Sequence, residues 1–514
     1  MSNPDASRTV AGPLNPKILF AVIASTALAS MGITVTSLIA PQLAVAVRAN
    51  PLQVSLMVNG FLTALAATVL IAGAIATRYG RRRALLFGNI LGAVFLMVSC
   101  IPNPNVVILG RLGCGIAAAF ILPISLSVIS AVTVSSDRVK AIALWSALGL
   151  SFGPIGNIVS GALVGWLGWW GYAFLWSVPF LLGAAWLTQK YVPQHAGEVP
   201  ENPIDWVGGS LSMVSITLLV YVLSAFAGGM TPTLYALLAV AAIGFVALFA
   251  YEQRRANPLV RPSIFRARPL AMAAVCALVV YGSLFGGLYI AVQYKSNVLG
   301  YSTLAASAGA LPISLVSMAL GAYAGRLVTK TGSRNTIMSG LFFIAVGFLL
   351  MLTWGSDSPY LLLALTFSVF GVGTGLCGPP IAAAYMSSVT DRDAGMASGI
   401  QDVSKDLGGA IGIALFGSIF TIRYTDFFGA STSSATAQGI HDSIASSFTG
   451  AQLAAKQYPD YASQILEAAK QAFLNGRTSA ISIGIVLVVV AFVLVWRSFP
   501  GMQHERAFYA KVGR

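Results

Sequence analysis

Apolar residues dominate the chain in long, nearly unbroken runs, and polar residues gather in short stretches between them. A run of about 20 mostly apolar residues is what a helix needs to cross the hydrocarbon core of a bilayer. Fourteen such runs can be drawn, at 18–40, 53–76, 84–102, 105–134, 141–165, 170–189, 207–228, 233–251, 270–292, 303–325, 336–354, 360–386, 397–421 and 478–498. Each predicts a membrane helix, and several are long enough to tilt or to run past the membrane. Runs five and six part only at the corner around Trp169, Trp170 and Gly171. The one sizeable polar interval, 424–476, is rich in Ser, Thr, Ala and Gln. Within it 436–447 and 459–473 have helix-like character, and a surface-lying cap is expected there rather than a binding domain.

Composition narrows the class further. Of 514 residues, 57% are hydrophobic and 9% charged, against roughly 25% charged in ordinary soluble chains. Too few charges remain to cover a soluble surface of this size. The 52 glycines and 23 prolines follow no collagen-like period, and the apolar content excludes disorder. An all-α polytopic membrane protein remains. The four cysteines lie in apolar stretches without metal-ligand spacing and read as filler, and the three histidines do not cluster. No cleavable signal pattern is seen at the N-terminus, so the first run is expected to be a retained span.

The formal net charge of +14 would suggest nucleic acid on a soluble protein. Here it follows the tendency of basic residues to gather in loops on the negative, inner side of a membrane. With the N-terminus placed inside, the inner segments carry 22 Lys and Arg, whereas the short outer loops carry two, Arg48 and Lys295. Four more, Arg423, Lys456, Lys470 and Arg477, fall in or beside the long outer loop. Both termini are therefore expected to be cytoplasmic.

Two loops resemble each other. One reads Gly73-Ala-Ile-Ala-Thr77-Arg78-Tyr79-Gly80-Arg81-Arg82-Arg83, and the other Gly325-Arg326-Leu-Val-Thr-Lys330-Thr-Gly332-Ser-Arg334. Each follows the second span of a presumed six-span unit. The expected organisation is a cytoplasmic tail (1–17), an N-terminal six-helix bundle (18–190), and two inserted helices (205–262). A C-terminal six-helix bundle (268–499) follows, with the extracytoplasmic loop at 424–476 and a cytoplasmic tail at 500–514. Paired six-helix units are the usual build of an alternating-access transporter.

These motifs resemble the major facilitator superfamily, in particular its 14-span drug:proton antiporter branch. The resemblance runs the whole length of the chain and implies the major facilitator fold. The Gly73–Arg83 loop is similar to the family signature between spans 2 and 3, which forms a latch on the inner side. Gly73, Arg78, Gly80 and Arg81 match it, while Thr77 stands where an acid is usual. Arg111-Leu-Gly113-Cys-Gly115 is similar to the buried arginine of span 4, which the family ties to proton transfer. An arginine snorkelling to the outer surface is the alternative. Gly149-Leu-Ser-Phe-Gly153-Pro154-Ile-Gly156 resembles the antiporter signature of span 5, with Gly156 and Asn157 in place of the usual double glycine. A packing kink alone would produce much of that pattern. In span 1 the family's acid is missing, and Gly32 stands in its place.

An exchanger coupled to protons needs a titratable group reached alternately from each side. Nearly all sixteen acids fall in loops or tails; the exceptions are Asp402 and Asp406. Their i,i+4 spacing places both on one helix face, with Lys405 three residues from Asp402. Multidrug members of the branch often carry acids here, so Asp406 first, then Asp402, are expected to couple protons. The competing reading is a charged inner helix end. Candidate cavity-lining residues are Asn59, Trp145, Phe152, Tyr281, Phe285, Tyr289 and Gln293, since aromatic faces suit flat or cationic lipophiles; packing or lipid anchoring is the alternative for each.

The resemblance thus implies a secondary active efflux transporter of the cell inner membrane, multi-pass and monomeric. It would export lipophilic compounds, cationic ones among them, in exchange for protons. Its partners are the small-molecule substrate, protons and the bilayer, not nucleic acid. No cofactor, metal or enzymatic activity is expected; no Gly-x-x-x-x-Gly-Lys-Ser/Thr motif is present. Two alternatives stay open: export of a lipid or endogenous metabolite with weak or no proton coupling, and a non-transporting membrane sensor or assembly partner.

Overall fold

The computed structural model describes residues 15–49, 51–133, 135–145, 148, 152–194, 205–225, 231–255, 264, 266–301, 305–306, 309–389, 394–431 and 448–503. Within them the chain is helical. The first half contains α1 (Pro16–Val47), α2 (Pro51–Tyr79), α3 (Arg81–Val98), α4 (Pro104–Ala119), α5 (Leu122–Val132), α6 (Ser135–Leu144), α7 (Gly153–Leu167), α8 (Tyr172–Leu175) and α9 (Ser177–Tyr191). Then come α10 (Trp206–Ala225) and α11 (Pro232–Gln253). The second half contains α12 (Arg268–Gln293), α13 (Leu311–Leu352), α14 (Tyr360–Ser387), α15 (Ala394–Ser431), α16 (Phe448–Gln457) and α17 (Ala462–Ser498). Ten of the described helical stretches are long and apolar enough to cross a membrane.

Local chemistry sets where the helices start and break. Asn15, Asn103 and Thr231 cap α1, α4 and α11; each side-chain oxygen accepts an otherwise orphaned amide, and a proline occupies the first turn. The run at 105–134 is split into α4 and α5 just before Pro123, which has no amide proton to continue the ladder. In the run at 141–165, α6 ends at Leu144 and α7 begins at Gly153, and most residues between them lie outside those described. The runs at 303–325 and 336–354 share α13, which is interrupted at Gly332.

The two similar loops have the same geometry. Gly80 separates α2 from α3 with φ 99°, and Gly332 interrupts α13 with φ 82°, both in the region that favours glycine. Two residues beyond each glycine an arginine donates to a backbone carbonyl near the end of the sixth predicted span of its half. Arg82 reaches Gln189 and Arg334 reaches Trp496.

In the first half α1 packs on α7 and α9, α2 on α4, and α3 on α4 and α9. In the second α12 packs on α15, and α17 on α13 and α15. The halves meet where α2 and α5 contact α15, and where α6 contacts α13 and α14. Arg81, within the Arg78–Arg83 stretch, bonds to Ser127 of α5, so the contacts that α5 and α6 make with the second half lie toward this basic end. α10 and α11 pack on each other, and α10 also lies on α2 and α15, one from each half.

Lipid tails are as apolar as leucine, so helices in a membrane associate through close packing rather than hydrophobic expulsion. Glycine permits this between α12 and α15: a Cβ at Gly412 would lie 2.1 Å from the Gly282 carbonyl oxygen, and one at Gly408 would lie 2.6 Å from that of Leu278. The exterior is apolar, with Ile243 and Val246 of α11 and Val486, Val489 and Val490 of α17 at least half exposed. A surface of this kind is suited to lipid.

The interval 424–476 contains more regular structure than expected. α15 continues to Ser431, α16 lies within the interval, and 462–473 forms the first turns of α17 rather than a separate cap helix. Phe473 holds this region down, with its ring 4.7 Å from that of Phe420 and 6.2 Å from that of Phe448. The expected helix at 436–447 lies outside the described residues.

At Gly412 the α12–α15 contact is backbone against backbone and has no flexible side chain to yield. Gly412→Ala is expected to destabilise the detergent-solubilised protein by about 1–3 kcal/mol. Gly183→Ala on α9, where an added Cβ meets nothing within 4 Å, is expected to stay within about 0.5 kcal/mol of wild type. Thermal unfolding of the two variants side by side checks this; equal shifts would show that the helices separate freely.

Candidate transport site

The charged group of α15 lies inside the helix bundle. Gln401, Asp402, Ser404, Lys405 and Asp406 are all buried. α15 begins at Ala394, so Asp406 sits about 18 Å along it at roughly 1.5 Å per residue. The competing placement at a solvated helix end is thereby excluded. Lys405 Nζ lies 2.8 Å from Asp402 Oδ1, an ion pair closed within one helical turn. Asp406 Oδ2 has no hydrogen-bond partner among the described residues, and neither has Gln401 Oε1. The two carboxylates are therefore unequal: one is held by lysine, while the other retains an open oxygen.

Four of the predicted lining residues form one face of α12. Tyr281, Phe285, Tyr289 and Gln293 follow at i,i+4 and are half-buried. Phe285 packs over Gly409 and Tyr289 over Gly417 of α15, where an added Cβ would lie 2.8 and 3.3 Å from their rings. Tyr281 is within electrostatic reach of Lys405, Asp402 and Asp406. From α14, the Tyr385 hydroxyl donates to Ser404 Oγ at 3.0 Å. On the other side Gly399 faces Leu70 of α2. Asp402 and Asp406 thus sit on the seam between the halves, beside the aromatic stripe.

The first-half motifs converge on a short piece of α1. A Cβ at Gly156 would meet the Met31 side chain at 2.2 Å, and one at Gly153 would lie 3.4 Å from the Ser30 carbonyl oxygen. Arg111, fully buried in α4, donates to the Gly32 carbonyl. Its guanidinium lies 4.9 Å from the Phe61 ring centroid and 5.7 Å from that of Phe174. Arg111 is therefore not a snorkelling residue. It contacts the position from which the span-1 acid is missing, and takes a carbonyl and two aromatic faces instead. Pro154 lies in the first turn of α7, and Gly149 lies outside the described residues.

Trp145 has a different place from the one expected. It is buried, and its indole N–H is shared between Thr26 Oγ1 at 3.0 Å and Ser125 Oγ at 2.9 Å. Those hydroxyls are themselves bonded at 2.9 Å. The indole is a staple between α1 and α5, not a free aromatic wall. Phe152 and Asn59 are half-buried. In the Gly73–Arg83 loop, Arg81 donates to the Ser127 carbonyl at 2.9 Å, which ties α3 to α5 within the first half. Thr77 donates back to Gly73 of its own helix. Arg78 stands in the last turn of α2, where a cation faces the negative helix end.

Two buried cations escaped the sequence reading, which placed them in outer loops. Lys295 donates to the Ala306 carbonyl with its ammonium 4.9 Å from the Phe367 ring. Arg477 donates to the Trp354 and Leu352 carbonyls. An aromatic beside each, Tyr294 and Phe473, was the available signal; the corner at 352–355 that buries Arg477 comes from distant sequence.

Comparison with known proteins agrees with this architecture. The family model described as Major Facilitator Superfamily matches residues 22–413. The chain is 29% identical over 450 residues to the multidrug efflux pump LfrA of Mycolicibacterium smegmatis, covering 86% of this chain and 88% of LfrA. It is 30% identical over 471 residues to the drug efflux pump JefA of Mycobacterium tuberculosis, covering 86% and 90%. The quinolone resistance protein NorB of Staphylococcus aureus is 29% identical over 360 residues, covering 68% and 76%. Among solved structures, the human organic anion transporter MFSD10 aligns with a TM-score of 0.61 at 14% identity, over 94% of this chain and all of that one. The proton:xylose symporter XylE aligns with 0.59 at 14%, over 96% and 98%. At such identities these two show the fold alone.

Removing one member of a buried ion pair leaves the other charged and unpaired, at a cost of about 3–5 kcal/mol. Lys405→Met is expected to lower stability by that order, and Lys405→Met with Asp402→Asn to recover most of it. Thermal unfolding of the two variants checks this; a single variant as stable as wild type would show that water reaches Asp402.

Proposed function

We propose that this chain, which belongs to the Major Facilitator Superfamily, is a secondary active exporter of lipophilic compounds, cationic ones among them, in exchange for protons. The observation that carries the reading is the buried Asp402–Lys405–Asp406 group on the seam between the halves, beside the aromatic face of α12. The names of the efflux relatives support the direction of transport and the class of cargo.

In this reading Lys405 keeps Asp402 neutralised, and Asp406 is the exchangeable site. A proton or a cationic substrate cancels the charge of Asp406, and each displaces the other. With its charge cancelled the seam closes without leaving a bare carboxylate in low dielectric. Tyr281, Phe285 and Tyr289 supply flat apolar faces for the cargo. The halves rock about this seam, opening alternately at the basic end and at the opposite end. The protein works as a monomer of fourteen spans in the cell inner membrane, both termini cytoplasmic, with the proton gradient as its energy source.

A second reading, export of a lipid or endogenous metabolite with weak proton coupling, is favoured by one observation. Gly32 offers Arg111 a carbonyl where a titratable partner would stand.

Reconstitution into liposomes with an imposed proton gradient separates the two. Gradient-driven movement of ethidium is expected for wild type, background movement for Asp406→Asn, and a smaller loss for Asp402→Asn. Wild-type rates in Asp406→Asn would remove that carboxylate from the coupling, and flux indifferent to the gradient would favour the second reading.

A further inference from the structure

Arg111, Lys295 and Arg477 are buried cations with no carboxylate within ion-pair distance among the described residues. Arg477 has a structural task, since its carbonyl partners lie at the C-terminal end of α13, where the helix leaves acceptors unsatisfied. Lys295 ties down the chain at Ala306. Arg111 is different. The Gly32 carbonyl is in the interior of α1, where the helix ladder already provides a donor.

That single bond leaves most of the guanidinium unsatisfied. Nε and Nη1 of Arg111 have no hydrogen-bond partner among the described residues. Five N–H donors in a planar fork suit a carboxylate, and a permanent charge without one is costly inside a membrane. One turn beyond Gly32, on the same face of α1, the fully buried Thr36 hydroxyl also lacks a partner. The two phenyl rings complete the surroundings. A Cβ on Gly32 would lie 2.7 Å from Phe61 Cε2, so the end of this flexible side chain occupies the space in front of α1. Phe174 holds a second face of the cation.

We infer that Arg111 is a docking group for the acid of the cargo: the exported compounds include flat aromatic amphiphiles bearing a carboxylate, which binds the open edge of the guanidinium as the ligand ring displaces that of Phe61. This rests on the exporter reading and specifies its substrate class. The substrate thereby supplies the negative charge that span 1 lacks. An aromatic ring replaces an aromatic ring beside the cation, so the cation–π contact is exchanged rather than lost. The Thr36 hydroxyl provides a donor for the second carboxylate oxygen.

Rhodamine B and rhodamine B ethyl ester isolate the group in question, because they share one delocalised cation and only the former has a free carboxylate. Binding of each to the purified full-length protein is read by fluorescence anisotropy in isethionate buffer. The acid is expected to bind about tenfold more tightly than the ester, as a charge-assisted hydrogen-bonded pair implies. Arg111→Gln is expected to bring the ratio to about one, and Arg111→Lys to leave part of it. Gly32→Asp combined with Phe61→Ala supplies an internal carboxylate with Arg111 retained, and is expected to abolish the preference too. This keeps the test decisive where Arg111→Gln does not fold. Equal binding of the two dyes by wild type, or a preference that survives Arg111→Gln, overturns the inference. A preference that vanishes when chloride replaces isethionate assigns the site to a halide and overturns it as well. Flux in proteoliposomes separates this from the exporter reading. Gradient-driven flux of both dyes without an acid preference in binding rejects the docking group alone. An acid preference in binding without flux of either dye upholds the group and rejects export of this class.

Discussion

A charge buried away from water must be met by something fixed in the protein, and the arrangement of this molecule follows from how each is met. Lys405 and Asp402 meet each other at 2.8 Å within a turn of α15. Arg477 is met by carbonyls at the end of α13, and Lys295 by the carbonyl of Ala306. Arg111 is met by one carbonyl and two phenyl faces. The lysines are fully met and Arg477 keeps only Nε without a partner, whereas Asp406 keeps an open oxygen and Arg111 two open nitrogens among the described residues. In a low-dielectric interior an open polar atom on a charged group is expensive, so Asp406 and Arg111 each gain from a partner that meets those atoms.

The scaffold around them is duplicated. Gly80 and Gly332 both take positive φ, and Arg82 and Arg334, two residues later, both bind a carbonyl near the end of the last helix of their half. A device that anchors the second and third spans to the sixth in each half makes each half a coherent body. The contacts between halves involve different elements, α2, α5 and α6 against α13, α14 and α15. Rigid halves with a separable seam are what rocking about a central site requires.

Small residues bring the functional groups to their places. Gly153 and Gly156 let α7 lie against Ser30 and Met31, next to the Gly32 carbonyl that Arg111 binds. Gly408, Gly409 and Gly412 let α15 lie against α12, which sets Phe285 and Tyr289 along the helix carrying Asp402 and Asp406. The conformational motifs and the charged residues are thus one construction: a larger side chain at these glycines would separate the backbones and move the charges with them.

Much of this was readable in the residues alone. The apolar runs give the helices, because a bilayer sets a minimum length and forbids open backbone. The Gly-plus-basic loops pointed to the duplication, and i,i+4 spacing placed Asp402 and Asp406 on one face and Tyr281, Phe285 and Tyr289 on another, since helical geometry alone decides both. Packing decided what periodicity does not encode. Trp145 became a hydrogen-bonded staple because Thr26 and Ser125 come to it from other helices. Lys295 and Arg477 moved from expected loops into the interior, and 462–473 became part of α17. Which of two neighbouring carboxylates keeps an open oxygen, and what faces a lone arginine, depend on atoms contributed by residues far apart in the chain. Spacing along one helix determines the face a side chain occupies, but only the assembled helices determine its partner.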